Sequence, residues 1–260
     1  MERDQAIKFV LDLLKMMIAK EGSDLFVTVG FPPAIKIHGQ VTPVTKTPLK
    51  PEDTKSMVYA VMRDKQLKEF EATNECNFAI APPGIGRFRA NAFVQQGYMG
   101  MILRTITTDV PTLDGLKLPE VLKDISMTKR GLVIMVGGTG SGKSTSLAAM
   151  INHRNENQSG HIITLEDPIE YVHPHKKCIM TQREIGLDAE SWEIALKNTL
   201  RQAPDVILMG EIRDAESMEH AIAFAETGHL CMATLHANSA NQALDRVINF
   251  FSEERRTQLL

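Results

Sequence analysis

The sequence predicts an α/β protein whose two parts contain different kinds of β-sheet. In the first hundred residues, short strands and helices alternate irregularly around hairpin-type turns, which is typical of a small α+β domain on an antiparallel sheet. After residue 118, strands are separated by long helices, which is typical of a mostly parallel sheet. Between residues 132 and 147, LVIMVGGTGSGKSTSL, an apolar strand, a glycine-rich loop and a helix follow one another directly.

The first part contains two predicted helices and five predicted strands. Residues 4–20 repeat apolar side chains at helical spacing, and a second helix opens at Pro51 and carries apolar residues as far as Phe70. The predicted strands, which are separated by turns rich in proline and glycine, are residues 23–30, 34–41, 77–81, 87–94 and 98–106.

A change of pattern marks the boundary between the two parts. Residues 107–118, TTDVPTLDGLKL, contain proline, glycine and aspartate and show little periodicity, so we expect a linker there. The predicted division is therefore a first domain at residues 1–106, a linker at residues 107–118 and a second domain at residues 119–260.

Composition and charge exclude several classes of protein. The net charge of −3 gives no bulk electrostatic signal for a nucleic-acid partner. The apolar runs are too short to span a bilayer, and the amphipathic N-terminus has no secretory pattern. The three scattered cysteines, Cys76, Cys178 and Cys231, are typical of reduced thiols, so we expect a cytoplasmic protein.

The glycine-rich loop matches G-x-x-x-x-G-K-[ST] from Gly137 to Ser144. Glycines let the backbone approach a phosphate chain, and the loop amides with the start of the helix form an anion-binding nest. Lys143 can reach the β- and γ-phosphates, and the Ser144 hydroxyl can bind Mg²⁺. A chance glycine-rich turn is the weaker alternative, so we predict that ATP is bound by Gly137, Gly138, Thr139, Gly140, Ser141, Gly142, Lys143, Ser144 and Thr145.

Acidic residues follow two further predicted strands. Glu166 and Glu170 come after a β-rich run, and Glu211 ends the apolar run DVILMGE. In parallel α/β folds the carboxyl ends of the strands lie beside the bound ligand. We assign Glu211 to the Mg²⁺ shell and Glu170 to the attacking water. Glu166 is the rival candidate for the base. The alternative for Glu170 is a solvated acid just past a strand, without a catalytic role.

The histidines allow several interpretations. His173, His175 and Cys178 form H-x-H-x-x-C, but a fourth ligand is missing, so we do not expect a zinc site. His229 and His236 flank the predicted strand at residues 230–235. Each is expected to form hydrogen bonds within the site or between subunits, or to be an ordinary structural histidine.

Arginines alternate along a strand of the first part. Arg87, Arg89 and Asn91 share one strand face, and Arg104 lies on the next strand. Such a row is usually a solvated sheet face. It would contribute to catalysis if it reached a nucleotide, where guanidinium groups stabilise transition-state charge.

Four motifs, in order, resemble those of the secretion-superfamily ATPases. GGTGSGKST, ITLEDPIEY, DVILMGEIRD and TGHLCMATLHANSA resemble the Walker A, aspartate-box, Walker B and histidine-box motifs of that family. The whole set is most similar to the retraction ATPases of type IV pili, the PilT/PilU family, and NQALDRVINFFSEERRTQLL resembles its PilU branch. GSDLFVTVGFPPAIKIHG and GRFRANAFVQQ resemble the PAS-like N-terminal domain of the same family.

The resemblance implies a fold, an activity and partners. It implies a PAS-like α+β domain followed by a RecA-like P-loop core, assembled as a homo-hexamer with ATP and Mg²⁺ at subunit interfaces. Such a motor depolymerises pilin and powers twitching motility at the cytoplasmic face of the inner membrane, with the pilus platform protein and a paralogous retraction ATPase as partners and no nucleic acid. The catalytic residues it implies are Lys143, Glu170, Glu211, His229 and His236, with Arg87, Arg89 and Arg104 as candidates to reach a neighbouring site.

Two departures from the family pattern bear on the alternative functions of this chain. The family continues into a helical C-terminal region with an AIRAGE-like motif, which we expect to be absent from this sequence because it stops at Leu260. The lack of any CxxC argues against the pilus extension ATPases, which usually carry a tetracysteine zinc motif. An assembly or secretion ATPase and a non-catalytic ring subunit that supports a paralogous motor remain the alternatives, and a small-molecule kinase lacks a recognisable lid.

Overall fold

The computed structural model describes residues 2–106 and 109–252 and divides into two compact units, Met1–Ile106 and Thr107–Leu260. Within the first unit, the described strands form a six-stranded antiparallel sheet in the order β3-β2-β1-β6-β5-β4. Its elements are α1 (Arg3–Ala19), β1 (Asp24–Val27), β2 (Ala34–Ile37), β3 (Gln40–Pro43), α2 (Pro51–Val61), α3 (Asp64–Thr73), β4 (Glu75–Ile80), β5 (Arg87–Gln95) and β6 (Tyr98–Ile106).

The core of this unit lies between the sheet and two of its helices. Helix α1 buries Ala6, Val10 and Leu14 and packs against α2. Of the central strands, α1 contacts β1 and α2 contacts β6. Along β5, Phe88 and Ala90 are buried because alternate residues of a strand point to the same face. The predicted antiparallel α+β architecture is therefore confirmed.

Two predicted elements of this unit are each two elements in the structure. The strand expected at residues 34–41 is interrupted by a tight turn at His38 and Gly39, whose φ angles are 48° and 82°. The helix expected from Pro51 to Phe70 ends at Val61, because Met62 and the following residue have extended backbones. Apolar periodicity continues across this break, so the pattern by itself could not reveal it.

The second unit has a parallel sheet with helices on both faces. Its described strands form five neighbours in the order β7-β11-β10-β8-β9, all paired in parallel. The elements are α4 (Val121–Ser126), β7 (Gly131–Val136), α5 (Lys143–Asn157), β8 (Gly160–Glu166), β9 (Cys178–Glu184), α6 (Trp192–Thr199), β10 (Val206–Met209), α7 (Ala215–Glu226), β11 (Leu230–Leu235) and α8 (Ala240–Asn249).

Two apolar layers hold this sheet. One packs α5 against the side chains of Val206 and Met232, and the other packs Leu196 and Phe224 of the opposite helices against Cys231. The central strands β10 and β11 are buried at every position, as expected for parallel strands covered on both faces. The predicted parallel α/β architecture is confirmed.

The predicted linker is only partly within the described residues. Residues 107 and 108 lie outside them, as do residues 253–260 at the end of the segment that resembles the PilU branch. Further along the linker, Leu113, Leu116 and Leu118 pack into the apolar layer beside α5. Among the described residues, no helix is both long enough and apolar enough to cross a membrane.

Candidate nucleotide site

The loop between β7 and α5 has the geometry of an anion-binding nest. The strand ends at Val136, and the helix begins at Lys143. Gly142 caps the helix with φ of 92°, a left-handed conformation that a residue with a side chain adopts only at a cost. The first amides of a helix have no partner within the helix, so those of α5 can bind an anion at this loop.

The Lys143 side chain is held against this loop. Its Nζ donates hydrogen bonds to the carbonyl oxygens of Gly137 at 3.0 Å and Gly138 at 2.8 Å, and the residue is 8% exposed. A buried ammonium group that is satisfied by backbone carbonyls can exchange them for phosphate oxygens, which are stronger acceptors. Lys143 is therefore poised for phosphate binding.

A cavity of about 260 Å³ lies beside the loop, where several parallel strands have their carboxyl ends. This arrangement follows from the parallel sheet, because every strand then delivers its following residues to the same edge. Members of all four sequence motifs line it. The predicted residues among the lining side chains are Thr139, Gly140, Lys143, Ser144, Glu166, Glu170, Glu211 and His236.

Glu211 lies at the centre of a charged network at this edge. Its Oε1 accepts a hydrogen bond from Arg213 Nε, and its Oε2 lies 3.3 Å from Nε2 of His236. Arg213 also donates from Nη2 to Asp167 Oδ2 at 3.2 Å, and its guanidinium carbon lies 5.6 Å from the centre of the Trp192 ring. Although burial lowers the pKa of Arg213, its pairing with the two carboxylates raises it overall.

Arg213 is a residue of this network that the sequence reasoning missed. It stands in the quoted motif DVILMGEIRD, two residues after Glu211. This spacing could have indicated the contact in the sequence. A cation so close to a predicted metal-binding carboxylate must either pair with that carboxylate or point away from it.

The two candidate bases have different surroundings. Glu166 is half-buried and accepts hydrogen bonds from Thr164 Oγ1 at 2.6 Å and Gln182 Nε2 at 3.4 Å. Burial raises the pKa of Glu166 to about 7. Glu170 is exposed and lines the cavity. A base that orients water must be within reach of that water, which favours the exposed Glu170.

The structure does not bring His229 to the cavity. It precedes β11 at the opposite end from His236, and its Nδ1 lies 3.1 Å from both the Phe224 carbonyl oxygen and Thr227 Oγ1. These contacts attach His229 to the end of α7. Of the two predicted histidines, His236 therefore lies at the site.

The other histidines and Cys178 also have structural contacts. His175 Nδ1 accepts a hydrogen bond from the Met180 amide, and Cys178 Sγ donates to the Gln158 carbonyl. Burial lowers the pKa of His173 to about 4. Within the part of the chain that the structure describes, no group of three or more His, Cys, Asp or Glu side chains is arranged to hold a metal ion.

Mg²⁺ fits the oxygen donors that the cavity offers. The Ser144 hydroxyl and the Glu211 carboxylate both line it. Magnesium prefers oxygen ligands and keeps several waters, so two such protein groups are sufficient.

The predicted arginines lie on neighbouring strands of the first unit. Arg89 and Arg104 face each other across β5 and β6, and Arg104 faces Asp24 on β1. Arg104 Nε donates to Asp24 Oδ1 at 2.8 Å, and Asp24 is only 5% exposed. Arg87 and Arg89 are half-buried. Arg104 is therefore held by an acid of its own unit.

Comparisons with known proteins show the family to which this chain belongs. The family described as Type II/IV secretion system protein matches residues 109–258. The chain is 63% identical over 247 residues to the type IV pilus ATPase PilU of Pseudomonas aeruginosa, covering 95% of this chain and 65% of that protein. It is 43% identical over 250 residues to the retraction ATPase PilT of the same organism, covering 96% and 73%.

A solved structure has the same fold. The crystal structure of the pilus retraction motor PilT with bound ADP superposes with a TM-score of 0.89 at 42% identity, covering 96% of this chain and 73% of that one. The chain thus spans about two thirds of the length of PilU. From its four motifs, its fold and these relatives, the chain belongs to the Type II/IV secretion system protein family, in the branch of the pilus ATPases PilT and PilU.

Proposed function

We propose that this chain is a Mg²⁺-dependent, ATP-hydrolysing motor that powers type IV pilus retraction and twitching motility. The observation that carries the proposal is the meeting of four motifs at one cavity. The names of the relatives PilU and PilT support a pilus ATPase, and the ADP bound to PilT supports a nucleotide in the corresponding cavity.

The cavity residues divide the chemistry between them. The loop amides and Lys143 bind the phosphates, because both present positive charge to them. Ser144 and Glu211 hold Mg²⁺, which when bound neutralises charge on the phosphate oxygens. Glu170 orients the attacking water and accepts its proton. His236 contacts Glu211 and can therefore couple that carboxylate to the state of the site.

The assembly is proposed as a homo-hexamer with a PAS-like first unit and a RecA-like second unit. The partners proposed are the inner-membrane pilus platform protein and a paralogous retraction ATPase, at the cytoplasmic face of that membrane. In such a ring His229, which lies away from the cavity, would serve a contact between subunits.

An arginine from the first unit is proposed to complete a neighbouring site. Phosphoryl transfer spreads charge over the γ-phosphate oxygens, and a guanidinium supplied in trans accelerates it by about a thousandfold or more. Arg104 must leave the buried Asp24 to do so, and Arg87 and Arg89 are the other candidates for this role. Mixing inactive Glu170→Gln subunits with subunits that lack one arginine tests it, because rings with composite intact sites should regain activity. No recovery in confirmed mixed rings would contradict it.

The catalytic proposal is tested by separating nucleotide binding from turnover. Lys143→Ala should weaken binding of a fluorescent ATP analogue, whereas Glu170→Gln should keep binding and lose at least about a hundredfold in turnover. Exposed Glu226 offers a matched control, and Glu226→Gln should behave as wild type. Full turnover by Glu170→Gln would show that the base is wrong. Tight binding without turnover in the wild type would favour a non-catalytic ring subunit.

A further inference from the structure

The loop that carries Glu170 runs between two neighbouring parallel strands. It spans residues 167–177, from the end of β8 to the start of β9, and it is not helical. Backbone amides and carbonyls in such a loop need partners, because helix and sheet ladders do not supply them. The partners near Glu170 are side chains of β9.

The two residues that flank Glu170 are both hydrogen-bonded to side chains of β9. The Ile169 amide donates to Glu184 Oε2 at 3.3 Å, and Glu184 is buried. The Tyr171 carbonyl oxygen accepts a hydrogen bond from Gln182 Nε2 at 2.8 Å. Glu170 is thus held between two anchored neighbours, although its own side chain is exposed.

Gln182 makes a second contact with the same loop. Its Oε1 accepts a hydrogen bond from the His173 amide at 2.7 Å. The side-chain amide therefore binds the loop backbone through its donor and its acceptor at once, as a neighbouring strand would. A side-chain amide carries both a donor and an acceptor on its terminal group, whereas an ionised carboxylate only accepts.

The strand register explains why β9 supplies these contacts. Thr164 faces Gln182 and Glu166 faces Glu184 across β8 and β9. Alternate residues point to one side of a sheet, so these four side chains share a face. Gln182 Nε2 also lies 3.4 Å from Glu166 Oε1.

The loop also contacts the helix that follows the glycine-rich loop. The Tyr171 hydroxyl donates to Thr145 Oγ1 at 3.3 Å, and Thr145 belongs to the first turn of α5, which follows the phosphate-binding loop. The segment around Glu170 is therefore connected both to β9 and to the helix that binds phosphate.

From these contacts we infer that Gln182 and Glu184, named here the β9 anchor, are positioning residues that hold the Glu170 loop for hydrolysis. The inference rests on the proposed function, in which Glu170 orients the water. A displacement of about 1 Å at a reacting group can cost about a hundredfold in rate. The β9 anchor should therefore govern turnover and leave phosphate binding, which depends on another loop, nearly unchanged.

The first test measures turnover against binding. Gln182→Glu replaces the donor to the Tyr171 carbonyl with an acceptor and adds a charge beside Glu166, so turnover at saturating ATP should fall about tenfold to a hundredfold. Affinity for the fluorescent ATP analogue should stay within about twofold, and the melting temperature should fall by no more than a few degrees. Gln158→Glu, the same change at an exposed glutamine, should leave turnover unchanged. Unchanged turnover in Gln182→Glu would overturn the inference.

A second test does not depend on turnover. In Gln182→Ala, hydrogen exchange of a peptide covering residues 169–174 should become faster, because the His173 amide loses its acceptor. Gln158→Ala should not change exchange there. Exchange at the wild-type rate in Gln182→Ala would overturn the inference even if the variant were inactive.

Combining variants separates this inference from the proposed function. If the β9 anchor acts through Glu170, then Gln182→Glu should cause no further loss in a Glu170→Gln background. A further loss there would mean that Gln182 acts by another route, and the inference would be wrong. Full turnover by Glu170→Gln alone would instead remove the proposed base, while hydrogen exchange would still decide whether Gln182 holds the loop.

Discussion

The carboxyl of Glu166 gives the sharpest pH-dependent prediction. Burial raises its pKa to about 7 from an ordinary 4.5, so the folded protein binds this proton more tightly than the unfolded chain does. Stability contributed by the protonated carboxyl is therefore complete below pH 4.5 and is lost as the pH rises through 7. Between pH 5 and pH 8 the loss amounts to about 2 to 3 kcal/mol.

The variant Glu166→Gln should avoid this loss, because its amide stays neutral at every pH. Its free energy of unfolding relative to wild type should rise by about 2 to 3 kcal/mol from pH 5 to pH 8 in urea denaturation. Any cost of repacking is the same at both pH values and cancels in this difference. A variant–wild-type difference that does not change with pH would refute the reasoning. The same variant should still hydrolyse ATP, since Glu170 is the proposed base.

Three further predictions follow from individual contacts. Trp192 is the single tryptophan and lies beside Arg213, so Arg213→Ala should change the tryptophan emission spectrum. Arg201→Ala, at an exposed arginine, should leave that spectrum unchanged. Identical spectra for Arg213→Ala and wild type would contradict the ring contact. Asp214→Ala should lower the free energy of unfolding by about 1 kcal/mol because the side chain caps α7, and asparagine there should restore most of it. His229→Ala should leave nucleotide affinity within about twofold, and a larger loss would place this histidine in the binding machinery.

Features that depend on local chain chemistry were predictable. The loop around Gly142 follows from a glycine pattern flanked by a strand and a helix, and the structure has each of these elements in that order. The change from an antiparallel to a parallel sheet follows from the spacing of strands and helices. In contrast, the breaks at His38 and Met62 depend on single backbone angles that apolar periodicity does not report.

The two flanking histidines show why position along a strand matters. His229 and His236 have equivalent places in the motif, since each borders the same apolar run. A six-residue strand is about 20 Å long, however, so its two ends lie at opposite edges of the sheet. Only the carboxyl end meets the loop that binds phosphate, and His236 is at that end.

The sequence by itself determined the fold class, the family resemblance and the phosphate-binding loop, because these depend on residues close together in the chain. The tertiary structure decided which side chains, although far apart in the sequence, lie at the same edge of the parallel sheet. Arg213 reaches Asp167, and Gln182 reaches Tyr171, through the alignment of parallel strands. That register is set by the packing of the whole sheet, so no local pattern could have specified these contacts.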